Sequence, residues 1–357
     1  EMSAHCSCFL LFDECHKLVK DADYRNNITL PIDDFFKFDQ KALVSATPIE
    51  LNDPRFKEQN FKMIEIQPTF DYKKELWLHH TNNTLQALKT VLSKLDNEEA
   101  APLPICVFIN STDIIYSLMK QLDLLEDSAV FCAPKSVDKL KKNRFCNVYE
   151  EWNKDKMKRY NFFTSRFFNA VDMELEEQPH VIMLTDVYFA EHTMIDPYTD
   201  AIQIVGRFRN GVSSITYISN TKKGLPQRSK EEIKGYLICS KEIYRTMKNF
   251  YDCATDRASR DAYRAALESL PFNRMLDRNG RENWFAIDNY MDEELMKNYF
   301  YDENSLYKAY DNCDSFIVYH AGYYCPLGDS ERLKRENKSQ SIKDKRKEIV
   351  RQLEMLG

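Results

Sequence analysis

Phe9-Leu10-Leu11-Phe12-Asp13-Glu14-Cys15-His16 is a run of four apolar residues that stops at two adjacent carboxylates. A short apolar run bounded by polar residues suits a strand buried in a parallel sheet. The carboxyl end of such a strand is where open α/β folds place their ligand-binding groups. Two acids there can divide the work of phosphoryl transfer, one holding Mg²⁺ and the other orienting an attacking water. The plain alternative is an acidic N-cap on the next helix. Further along, Leu43-Val44-Ser45-Ala46-Thr47-Pro48-Ile49 repeats the form, with a strand-like run ending in small hydroxyl residues. Taken alone, that second segment reads as an ordinary turn.

Three more segments follow in the second half of the pattern. Val107-Phe108-Ile109-Asn110-Ser111 is another strand end, and Thr164 to Asp172 carries hydroxyls and an acid after a further apolar run. Gln203-Ile204-Val205-Gly206-Arg207-Phe208-Arg209 puts two arginines on a helix-like stretch. Arginine suits phosphate because its planar fork makes paired, charge-assisted contacts with the oxygens. A surface helix salt-bridged to its neighbours is the competing reading.

Taken in order, once each, these five segments resemble motifs II, III, IV, V and VI of the superfamily 2 helicases, the first in its Asp-Glu-Cys-His form of the DExH box. The resemblance covers about the first 220 residues of the chain. It implies an α/β fold with parallel sheets: the later part of a first RecA-like domain and a complete second one. It also implies ATP and Mg²⁺ as cofactors and nucleic acid, DNA or RNA, as partner, held mostly by its backbone. Asp13 would hold Mg²⁺ and Glu14 would activate water, with Arg207 completing the catalytic set. His16, Ser45 and Thr47 would couple nucleotide state to nucleic-acid binding. Gln203, Arg209 and Asp172 would join them on the ATP side, and Thr164 and Ser165 would touch the nucleic acid. A hydroxyl capping a helix is the other account of Thr164 and Ser165. The chain departs from the family pattern at Asn169-Ala170, where glycine is usual, and at Arg209, which falls one residue early.

A phosphate-binding loop needs glycines followed by Lys-Ser or Lys-Thr, and the first glycine here is Gly206. The expectation is a fragment of a longer ATP-dependent helicase or translocase that alone hydrolyses little or no ATP. Three alternatives stand beside it. One is a degenerate or split subunit needing a P-loop partner, and another is a non-catalytic nucleic-acid-binding or scaffold module. A metal-dependent nuclease built on Asp13 and Glu14 is the third, and it leaves Ser45–Pro48 and Gln203–Arg209 unexplained.

With 43% hydrophobic and 13% aromatic residues the chain has ample material for a core. A net charge of −6 gives no global nucleic-acid signature, so any such contact is a local groove. No apolar run approaches the roughly 20 residues of a membrane span, and no signal peptide opens the chain, so the expected location is the cytoplasm. The ten cysteines form no Cys-x-x-Cys pair and read as reduced, mostly buried thiols.

The expected organisation is linear. Residues 1–68 form the partial first domain, ending in a strand at Phe61–Ile66, and 69–104 a linker with a helix from Thr84 to Leu95. Residues 105–224 form the second domain, with strands at Ile105–Ile109, Ala129–Cys132, Tyr160–Thr164, Val181–Leu184 and Ser214–Ile218. A mainly helical accessory region, 225–357, follows and is the place for protein partners. Its helices are expected at Lys230 to Asn249 and Arg257 to Leu270. Its tail from Arg332 to Arg351 carries nine Lys or Arg against three Asp or Glu, a solvated helix or a contact for nucleic acid or a partner.

Overall fold

In the computed structural model, the described residues are 8–22, 28–29, 31–98, 102–169 and 171–333. Ala170 and the basic tail beyond Leu333 lie outside them. The chain divides into two compact units, one uniting Glu1–Thr69 with Pro226–Asn298 and the other Phe70–Leu225 with Tyr299–Gly357.

The second unit is built on eight strands, all paired in parallel: β3 (Lys74–Thr81), β4 (Ile105–Phe108), β5 (Ser128–Phe131), β6 (Val148–Tyr149), β7 (Tyr160–Phe163), β8 (His180–Thr185), β9 (Ser214–Ser219) and β10 (Phe316–Tyr323), in the order β10-β3-β9-β8-β4-β7-β5-β6. Every residue of β4, β5, β7 and β8 is buried. That is why these strands read as unbroken apolar runs, since parallel sheets are covered on both faces. One face packs Val107, Val130, Phe162, Ile182 and Leu184 against α4 (Thr84–Glu98), α5 (Thr112–Gln121) and α6 (Pro134–Lys142). The other carries a ladder of rings: Phe163 stacks 4.9 Å from both Phe108 and Phe131, and Phe167, Phe168 and Phe208 meet them edge-on. Each such buried ring contributes about 1.5–3 kcal/mol.

In the first unit, β1 (Phe9–Phe12) pairs in parallel with β2 (Gln40–Leu43) alone. Around them lie α1 (Lys17–Lys20), α2 (Pro31–Phe35) and α3 (Pro54–Glu58). Here exposure alternates along β1, with Phe9 60% and Leu11 53% exposed. The helices α8 (Lys230–Cys253), α9 (Arg257–Ser269) and α10 (Trp284–Lys297) belong to this unit. Ser229 starts α8 with a capping box, its hydroxyl accepting from Glu232 N while the Glu232 carboxylate accepts from Ser229 N.

The structure differs from the linear organisation in three respects. The stretch after residue 225 is not a free-standing helical region. Phe285 and Ala286 of α10 complete a core with Leu18, Val19, Ile32 and Phe35, and Lys20 pairs with Asp292 at 2.7 Å. Beyond α10, α11 (Glu303–Asp311) leads into β10, which adds to β3 at the edge of the large sheet. Residues 74–81, expected in a linker, are β3, and α4 runs three residues past Leu95 to Glu98. Phe61–Ile66 is not a strand: Phe61 packs into the first core, while Met63, Ile64 and Ile66 are 81%, 83% and 88% exposed with no ladder beside them.

Of the nine described cysteines four are buried, four exposed and one between, all free thiols, so burial is less general than the sequence suggested. Burial raises Cys15 to about 11 and Cys132 to about 12, which makes both unreactive. Among the described residues no helix is long and apolar enough to cross a membrane.

Candidate functional site

The sequence-marked residues gather into two clusters, one inside each unit. In the first, β1 delivers Asp13 and Glu14 at its carboxyl end. Cys15 N donates to Val44 O and Val44 N to Phe12 O, extending the β1–β2 ladder one step past the strands. The chain then turns sharply into α1, and Glu14 takes the turn at φ +53°. That left-handed conformation costs a non-glycine residue on the order of 1 kcal/mol, and Asp13 Oδ1 supports it by accepting from Glu14 N at 2.8 Å. Asp13 is exposed and Glu14 partly so.

Behind the acids His16 is buried, 1% exposed, with Ser45 Oγ 3.0 Å and Glu14 Oε2 3.3 Å from its Nδ1. Ser45 Oγ also accepts from Thr47 N at 3.1 Å, and Thr47 is buried. Glu14, His16, Ser45 and Thr47 are thus linked through one imidazole and one hydroxyl. Among the described residues no three His, Cys, Asp or Glu side chains are arranged to hold a metal ion. An exposed single carboxylate such as Asp13 fits Mg²⁺ in the way that ion is usually held beside phosphates, with water completing its shell.

The second cluster sits on α7 (Asp200–Gly206), whose Ala201, Gln203, Ile204 and Val205 are buried. Arg207 follows at the helix end, 8% exposed. Its Nε donates to Gln203 O at 3.1 Å, its Nη2 to Gln203 Oε1 at 3.0 Å, and its Nη1 lies 3.5 Å from Asp172 Oδ1. Arg209 reaches the same Asp172 oxygen at 2.8 Å and stays half-exposed. Asp172 therefore sits between two guanidinium groups. A phosphate anion placed beside this pair of cations would compete with Asp172 for them.

Thr164 and Ser165 separate in character. Thr164 is buried, its hydroxyl 3.5 Å from Phe131 O, while Ser165 is exposed. The capping account does not cover Thr164, because its side chain makes no capping hydrogen bond to the 3₁₀ turn Ser165–Phe167.

Sequence reasoning missed a third group, at the carboxyl end of β8. Asp186, 1% exposed, accepts from Asn220 Nδ2 at 2.8 Å, from Thr84 Oγ1 at 3.2 Å and from Arg332 Nη2 at 3.2 Å. Asp329, 0% exposed, accepts from Asn220 Nδ2 and Thr84 N, both at 2.8 Å, and pairs with the same arginine at 2.9 Å. Burial first, and the Asp329 charge second, raise the Asp186 carboxyl above its ordinary value, with Asn220 and Arg332 opposing. The signal was present: Val181-Ile182-Met183-Leu184-Thr185-Asp186 is an apolar run ending in an acid, as at Asp13.

These sheets and sites define an α/β protein with parallel strands whose marked polar residues cluster at strand ends and on α7. No family model matches the chain, and no curated protein matches it. Among solved structures the chain is similar to S. cerevisiae Dbp5 bound to RNA and ADP BeF3, at 12% identity and a TM-score of 0.34, covering 81% of this chain. The chain spans 64% of the length of that structure.

Proposed function

We propose that this chain belongs to a superfamily 2 helicase or translocase, which couples ATP hydrolysis to movement along, or separation of, nucleic-acid strands in the cytoplasm. The observation that carries the reading is the first cluster. A DExH segment ends a strand, and its histidine reaches the Ser45–Thr47 turn that the same resemblance marks as the coupling element. In this reading Asp13 would hold Mg²⁺ and Glu14 would orient the water that attacks the terminal phosphate. Arg207 and Arg209 would leave Asp172 to meet charge developing on the phosphoryl oxygens, with Gln203 fixing the first guanidinium in the plane the phosphate needs. Bound ATP and Mg²⁺ would supply the scissile bond and the charge that neutralises it, while Ser165 would touch the nucleic-acid backbone.

The test is ATP turnover of the intact protein with and without single-stranded nucleic acid. Glu14→Gln or Arg207→Ala is expected to lower stimulated turnover roughly 10³-fold while thermal unfolding stays within a few degrees of the parent. Unchanged turnover in either variant sinks the ATPase assignment and leaves a binding or scaffold module.

A further inference from the structure

β4 and β8 are neighbours in the large sheet, yet their chains leave in opposite directions along it. From β4 the chain passes through α5 to β5, beyond β7, while from β8 it passes through α7 to β9 on the other side. Such a reversal opens a crevice outside the carboxyl ends of the two strands, and ligands of open α/β sheets bind in crevices of this kind. The two exits meet there, since Asn110, just past β4, donates from Nδ2 to His192 O at 3.1 Å.

The turn leaving β8 carries two adjacent aromatic residues, Tyr188 and Phe189, 38% and 41% exposed. It is pinned rather than loose. Val187 N donates to Asn220 Oδ1 at 2.7 Å, Phe189 N to Asp186 Oδ1 at 3.2 Å, and Asp186 N to Thr193 Oγ1 at 3.0 Å. Paired exposed rings on a fixed backbone give the core little in return for their ordering, but they make a preorganised surface for a flat partner.

Charge and hydroxyls follow in the next strands of the sheet. Exposed Ser165 and Arg166 lie past the end of β7, and exposed Lys135 lies past β5. With strands about 4.8 Å apart, these groups stand roughly 10 and 15 Å from the β8 end. Glu191, exposed just beyond the rings, repels phosphate and so favours a backbone path on the Arg166 side.

We propose that Tyr188 and Phe189 are a stacking platform for the unpaired bases of a single-stranded nucleic acid whose backbone passes Ser165 and Arg166 toward Lys135. The proposal rests on the nucleic-acid reading above and adds to it the groups that grip bases rather than phosphates. Stacking of this kind accepts any base, because every base presents a π face, and so suits a protein that moves along a strand.

The experiment is an anisotropy titration of the full chain with labelled oligothymidylate and oligouridylate, each beside an abasic oligomer of the same length, at one fixed salt concentration. The double variant Tyr188→Ala/Phe189→Ala is expected to bind the base-bearing oligomers roughly 10-fold more weakly and the abasic ones as before. Tyr188→Phe keeps the ring and is expected to bind as the parent does. Undiminished binding of base-bearing strands by the double variant overturns the platform alone. So does an equal loss on abasic and base-bearing oligomers, since a stacking ring does not report on a bare backbone. If the parent chain binds none of the oligomers, the nucleic-acid reading and the platform fall together.

Discussion

Phe9–Asp13 in the first unit and Val181–Asp186 in the second both run an apolar strand into a carboxylate, and the two carboxylates end in opposite surroundings. Asp13 stands exposed at the end of a two-stranded sheet whose outer residues meet solvent. Asp186 is 1% exposed at the end of a fully buried strand, with Asn220, Thr84 and Arg332 on its oxygens. An open acid keeps its lone pairs for a metal or water. One whose lone pairs are already spent on buried donors holds structure instead.

Removing the cation from the locked site should show the contrast at its largest. Arg332→Ala leaves Asp186 and Asp329 buried together without their shared guanidinium, and the expected loss is about 3–5 kcal/mol, read from urea unfolding. A loss below about 1 kcal/mol, the level of an exposed ion pair, would erase the distinction.

A buried acid in the first unit gives the next effect. Asp288 is raised to about 6 by burial, although Asn52 donates to both of its oxygens. Its folded value lies above the unfolded value of 3.8, so the folded state holds the proton more tightly. The stabilisation is present below about pH 4 and is lost as pH rises through about 6. Between those limits the stability of the parent should decline relative to Asp288→Asn by on the order of 2–3 kcal/mol. Parallel pH curves for the two proteins would show that the group titrates alike in both states.

The smallest effect belongs to the open site. Ser45→Ala removes one neutral hydroxyl from His16 and Thr47, and about 1 kcal/mol of stability should go with it. A loss matching that of Arg332→Ala would mean that the first cluster is as locked as the second.

The buried strands of the second unit were legible because each is a short apolar run: β4, β5, β7, β8 and β9 all lie where the sequence placed them. β3, Lys74–Thr81, opens with charge and closes with two histidines and a threonine, and only its middle is apolar. β10 was hidden by the helices around it, because what makes it a strand is β3, far away in the chain. The opposite error at Phe61–Ile66 has the same root, since an alternating apolar run needs a neighbouring strand and none stands there. The partners of Asp186 were invisible for a related reason: Thr84, Asn220, Asp329 and Arg332 meet only through the order of strands in the sheet.

The chain crosses between its units after Thr69, after Leu225 and after Asn298. No single cut therefore yields either unit whole. A chain stopped at Leu225 would strip Phe285 and Ala286 from the first core and β10 from the sheet edge. The stretch after Leu225 is thus shared property of both folding units.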